Sequence, residues 1–309
     1  MTLRRVGFTP VPPGAAPGFD HADTYLDPDG SRLYVAHTGA DRIDVLDCRS
    51  GTYARALGEL PGVAGVLIDS DQKLLFSSDR AASRVSIFSC SDDALLAQIA
   101  VGPHPNGLAY DPIRRSVFSF NLGEPLGTNC TASVVSVDER RVVMTIPLPG
   151  RPRWAVFDGS TRAVYANIAE PAAIVVIDAD RLAIRQSIAV PAAGPHGLAI
   201  VPHEGGASLW CAADAGVLAV LDRDSGDVRA TLPLAGVPDV VMYDRDLGRL
   251  FVAVGKPGVV AVFDAATRTH WETVPTEEGA HTIGWDPGSR RLFAFQPKSC
   301  GVAIYEDER

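Results

Sequence analysis

Histidine is the side chain whose ordinary pKa lies closest to neutral pH, so its placement is where chemistry is best sought. The chain carries histidines at 21, 37, 104, 196, 203, 270 and 281. Five of them, His21, His37, His104, His196 and His281, stand beside turn residues or strand ends that recur along the chain, as in Pro195-His196-Gly197 and Ala280-His281-Thr282. His203 and His270 fall outside that phase and are expected at the surface. His196 and His281 occupy one repeat position, and Asp239 occupies the same position in the unit between them.

Three chemistries fit these residues. Converging neutral imidazoles with carboxylates nearby suit a divalent cation such as Zn²⁺, Mn²⁺, Fe²⁺ or Mg²⁺. His21, His37 and Asp23 are the candidate ligands for it, although no local ligand motif such as HExxH is present. The second chemistry is metal-free acid–base catalysis, with His196, His281, His104 and Asp239 as the candidate groups. In the third, the same polar groups only hydrate a channel. Arg153, Trp154, Asn106, Asn121, Asn167 and Gln296 are candidate substrate contacts. Arg151 and Arg153 can hold a carboxylate by a bidentate contact or pair with a neighbouring unit. Trp154 can stack on a ligand or fill the channel. No nucleophile is in phase except Ser78 and Thr38, and no organic cofactor motif is evident.

These residues are positioned by a repeat. Each unit is a short apolar run ending in Asp, a turn, a second run, and a third run ending in Asp. The first reads TYLDPDGSRLYVAHTGADRIDVLD. The first acidic anchor recurs at Asp27, Asp69, Asp111, Asp158, Asp244 and Asp286, with Val201 in the place of the missing one. Successive spacings are 42, 42, 47, 43, 43 and 42, which makes seven units. Period-two alternation marks the runs as strands, and a fourth run follows in most units. Four antiparallel strands per unit of this length make a propeller blade.

The chain is therefore expected to be all-β, one seven-bladed β-propeller domain over 1–309, with blades starting near 21, 63, 105, 152, 195, 238 and 280. The last unit lacks its fourth run, and residues 1–10 are expected to supply it and close the ring. In a propeller, the loops entering the innermost strands and those following the second strands lie on one face. The candidate residues should therefore meet at the mouth of the central channel. The 47-residue spacing comes from an insertion at 121–131, which lies on that face as a cap or as a tolerated surface loop.

Composition narrows the partners. The net charge of −9 argues against binding a phosphate backbone, so no nucleic acid is expected. No run of about 18 apolar residues exists, so no membrane span is expected, and the N-terminal stretch has no apolar run like that of a secretory signal. Five dispersed cysteines without a CxxC pair suit reduced thiols in a cytoplasmic protein. A small molecule is the expected partner. The rival is a scaffold that docks a protein, but aromatics are only 7%, and most stand in strand phase. A metal-storage or sensing protein is a further alternative.

The segments Asp27-Pro28-Asp29-Gly30-Ser31-Arg32-Leu33-Tyr34-Val35 and Pro195-His196-Gly197-Leu198-Ala199-Ile200 resemble the YVTN family of seven-bladed propeller repeats. The resemblance covers nearly the whole chain and implies the fold rather than an activity. Asn106, within Pro105-Asn106-Gly107-Leu108, resembles the metal-ligating asparagine of gluconolactonase-like propellers, although that family's N-terminal glutamate motif is not evident. The chain is also similar in fold, length and the blade-seven histidine, His281, to the streptogramin lyases. That resemblance implies elimination with a histidine base and a divalent metal. It departs from them in having Gly279-Ala280, rather than an acidic residue, before the histidine.

Overall fold

The computed structural model describes residues 2–307. Its strands form seven four-stranded antiparallel sheets arranged as a propeller. The innermost strands are Ala22–Tyr25, Val63–Asp69, Pro105–Asp111, Pro152–Asp158, Pro195–His203, Val237–Asp244 and Thr282–Asp286. Among the described residues helix is confined to two short 3₁₀ turns, Thr38–Ala40 and Arg80–Ala82. Among the described residues no helix is long and apolar enough to cross a membrane.

The recurrent aspartates explain the phase of the repeat. Asp111 Oδ1 accepts from the backbone N–H groups of Ile113 and Arg114. Asp286 does the same for Gly288 and Ser289, and Asp69 for Gln72. A carboxylate at or just past the end of six of the inner strands thus replaces the ladder partners that the turn removes. The aspartates ending third strands, such as Asp178 and Asp264, cap the next turn in the same way. Where Val201 stands, no side chain can close the turn, and the hairpin runs on to pair His203 with Gly206.

Alternation along each strand sends apolar side chains to both faces of every blade, so the core lies between blades. One apolar cluster fills each interface. Phe118, Phe120 and Val134 of blade three meet Val164 and Val175 of blade four. Across the seam, Phe293 and Phe295 of blade seven meet Leu33, Val35 and Phe19 at blade one.

The strand Leu3–Pro10 pairs antiparallel with Gly301–Asp307 and supplies the fourth strand of blade seven, as expected from the sequence. All five cysteines are free thiols, and burial pushes the Cys211 thiol up to about 12.

Candidate functional site

Each inner strand enters the sheet through a tight approach to its neighbour. A Cβ at Gly65, Gly107 or Gly197 would lie 2.5, 2.3 or 2.2 Å from the carbonyl oxygen of Asn106, Arg153 or Asp239 respectively. Only glycine allows the next blade to come so close. The residue approached occupies the same repeat position each time. The glycine of one blade therefore seats a mouth residue of the next. The substitution Gly197→Ala is expected to cost about 1–3 kcal/mol by overpacking. It should also loosen the contact of Asp239 with His196. Urea denaturation and an NMR titration of His196 check this, and a variant unchanged in both would contradict the tight seating.

At the mouth a chain of ion pairs links blades four to six, and His281 of blade seven faces its end. His196 Nδ1 lies 2.8 Å from Asp214 Oδ1, and Nε2 lies 3.2 Å from Asp239 Oδ1. His281 Nε2 faces the other Asp239 oxygen at 3.9 Å. Arg153 stands 3.3 Å from His196 Nε2 and 3.5 Å from Asp214. Burial works against the charge on His196, but Asp239 and Asp214 overcome it and hold the imidazolium at about 9, with Arg153 opposing them. Burial likewise works against the Asp239 carboxylate, and the adjoining His196 overcomes it, leaving the carboxyl at about 2. Both shifts express one interaction.

Blades one to four add a second group. Arg80 reaches Asp20 at 3.0 Å and also donates to the Asn106 side-chain oxygen. His21 lies 3.4 Å from Asp20. It is buried, and burial lowers its pKa. Its ring lies 4.3 Å from that of Trp154. Trp154 also packs against the apolar clusters of blades four/five and six/seven, so it reaches across the axis and floors the mouth. Arg151 makes no ion pair among the described residues. Burial lowers its pKa, and so do Arg153 and Arg80 nearby. His196, Asp239 and His281, with Lys256, line a cavity of about 420 Å³.

The structure thus brings together His196, Asp239, His281, Arg153, Asn106, Trp154 and His21. Other expected site residues lie elsewhere. His37 is wholly buried inside blade one, with Nδ1 2.7 Å from Asp44 and its ring 4.5 Å from Phe19, so it is not at the axis. His104, in a left-handed conformation, turns outward to Glu124 of the insertion at 2.7 Å. Asn121 is buried within blade three, where its amide donates to Thr131 and Ser133. Gln296 lines a groove between blades six and seven with Leu3 and Tyr305. Asn167 is also buried, but its amide donates to the carbonyls of His196 and Gly197 at 2.9 and 3.0 Å. It holds the backbone that carries the histidine. Asp23 lies deeper in the channel and accepts from the Thr24 and Ile68 N–H groups.

The expected metal trio does not assemble. His37 is separated from His21 by its place in the blade core. Among the described residues, no group of three or more His, Cys, Asp or Glu side chains is arranged to hold a metal ion.

Selecting by histidine passed over Asp20, Arg80 and Asp214. All three stand at the recurring loop positions, and Arg80 and Asp214 come one residue after the ends of the second strands Leu74–Asp79 and Gly206–Ala213. The residues that end second strands, such as His37 and Asn121, are still paired to the third strand and project between blades. One position further on, the chain has left the sheet and reaches the mouth.

Fold and site together define a seven-bladed propeller with a charged cluster at one mouth of its channel. No family model matches the chain, and no curated protein matches it. Among solved structures it is similar to a chain of Kuenenia stuttgartiensis hydrazine synthase, with a TM-score of 0.81 and 15% identity. The match covers 94% of this chain and 96% of that one. At that identity the likeness is one of fold.

Proposed function

We propose that the mouth cluster is the active site of an enzyme that moves a proton on a small anionic molecule, with ring opening or elimination as the reaction class. One observation carries this reading. His281 Nδ1 lies 2.8 Å from the Gly279 carbonyl, which can only accept, so Nδ1–H donates and the neutral ring carries its lone pair on Nε2. That lone pair faces the Asp239 carboxylate at 3.9 Å, inside the cavity. At that spacing a donor lying to one side of the pair can reach both acceptors. A substrate proton there would meet His281 as the base.

The surrounding cations suit the charge that such a reaction develops. His196 and Arg153 are fixed by Asp214, and Arg151 stands near Arg153 with no ion pair among the described residues. An anionic group held by the arginines would place its adjacent carbon near His281. The negative charge left by proton loss would spread toward His196 and Arg153. A docking scaffold fits less well. The exposed large apolar side chains, such as Phe8, Leu95, Met144, Ile184 and Trp271, are scattered over the outer strands of different blades and build no common patch.

The test uses a panel of small mono- and dicarboxylates. Thermal-shift binding is measured first, then hydrogen–deuterium exchange at the carbon beside the carboxylate, by NMR in D₂O. Arg153→Gln should lose binding. His281→Gln should keep binding and lower exchange by about 10²–10⁴-fold. Binding without exchange in the intact protein would instead make this a ligand-binding propeller. No binding of any anion would overturn the proposal.

A further inference from the structure

The channel has a second chamber. Inner strands run from the mouth to their aspartate anchors, and beside those anchors lies a cavity of about 520 Å³. It shares no lining residue with the mouth cavity, and Trp154 and His21 stand at its inner end. The volume is that of an ordinary small-molecule site.

Its walls are aromatic, with Tyr110, Trp154, Phe157, Tyr243 and Trp285 from four inner strands. Trp285 is held in place by its indole N–H, which donates to Asp244 at 2.5 Å, and by stacking on Phe251. The lining includes two carboxylates, Asp23 and Asp69, and neither lysine nor arginine. Asp69 is committed to its turn through Gln72 N–H. Asp23 accepts only backbone N–H groups, from Thr24 and Ile68, both at 2.8 Å, and has no cationic partner among the described residues. Burial raises its carboxyl to about 6 against the pull of those two donors. A buried carboxylate without a counterion is costly, and a cation bound beside it would remove that cost.

We propose that this chamber binds a compact organic cation, its ammonium group against Asp23 and its carbon substituents against the aromatic walls. Ring faces attract such a cation through their quadrupoles, and the lone carboxylate adds direction. An anion would meet the wrong charge. A neutral apolar molecule would leave Asp23 uncompensated. The chamber is separate from the mouth, so its occupancy does not depend on the reaction proposed there.

Tryptophan fluorescence reads the site, because two of the four tryptophans line it. The probe is benzyltrimethylammonium chloride, titrated at constant ionic strength beside benzyl alcohol and sodium chloride. The expected result is a saturable change with the organic cation, about tenfold weaker with benzyl alcohol, and none with sodium. Asp23→Asn should weaken binding of the cation about tenfold, and Phe157→Leu about threefold. If Asp23→Asn does not fold, the comparison of cation with alcohol and the Phe157→Leu variant decide the matter. Equal binding of the alcohol, no saturable change with the cation, or unaltered affinity in the folded variants would overturn the proposal.

Discussion

Removal of residues 1–10 is expected to unfold the ring under conditions in which the intact chain is stable. The strand Leu3–Pro10 pairs along its length with Gly301–Asp307, from Leu3 opposite Asp307 to Pro10 opposite Gly301. Its loss strips blade seven to three strands and leaves the last one with an open edge. That edge carries Val302, Ala303, Ile304 and Tyr305, all buried in the closed ring. Leu3 also packs on the cluster between blades six and seven, and its N–H bonds to Glu272. At about 1 kcal/mol for each lost backbone bond, the strand accounts for about 5 kcal/mol before packing is counted. That is a large part of the stability of an ordinary domain, about 5–15 kcal/mol. Circular dichroism melts of the two chains should differ by about 8 °C or more, and the truncated chain should associate through its bare edge. Coincident melts would show that the ring does not depend on this strand.

The closure was legible because fold and repeat depend on features that a single sequence carries openly. An aspartate closes each turn by its own side chain, so its period is the period of the blades. The Pro-x-Gly entries mark where neighbouring inner strands come closest, which locates the mouth. The membership of the site was harder to read. His37 and Asp214 both stand at the exit from a second strand, but one residue separates burial inside a blade from projection into the mouth. His104 failed for a different reason. Its backbone turns left-handed, and the insertion offers Glu124 as a partner on the outer side. Asn167 lies beside the His196 backbone through the two carbonyls it holds, and no periodicity reveals those contacts. Repeat phase therefore gives the ring of positions, and side-chain partners decide which of them belong to the site.

The largest electrostatic effect should come from Asp239→Asn. In the intact protein His196 holds its proton up to about 9, above its ordinary 6.5. A histidine whose folded pKa is raised contributes stability that is fully present below 6.5 and is lost as pH rises through about 9. Asp239, lowered from 3.8 to about 2, contributes stability that is present above 3.8 and is lost as pH falls through about 2. The pair is thus at full strength between about pH 4 and 6.5, where the histidine shift corresponds to about 3 kcal/mol. In the variant Asp214 still faces Nδ1, so the His196 midpoint should fall by about 1–2 units rather than return to its ordinary value. Stability should drop most near pH 5–6. The decline of the intact protein between pH 6.5 and 9 should flatten. Above pH 9 the order can reverse, because the intact protein then buries an Asp239 carboxylate beside a neutral ring. Urea midpoints across this range, with the His196 titration followed by NMR, read both effects. An unchanged slope and midpoint would show that Asp239 does not set the charge on His196. With the predicted shift, His196 is a fixed cation at neutral pH, and His281, oriented by its Nδ1 contact with the Gly279 carbonyl, is left as the base of the proposed reaction.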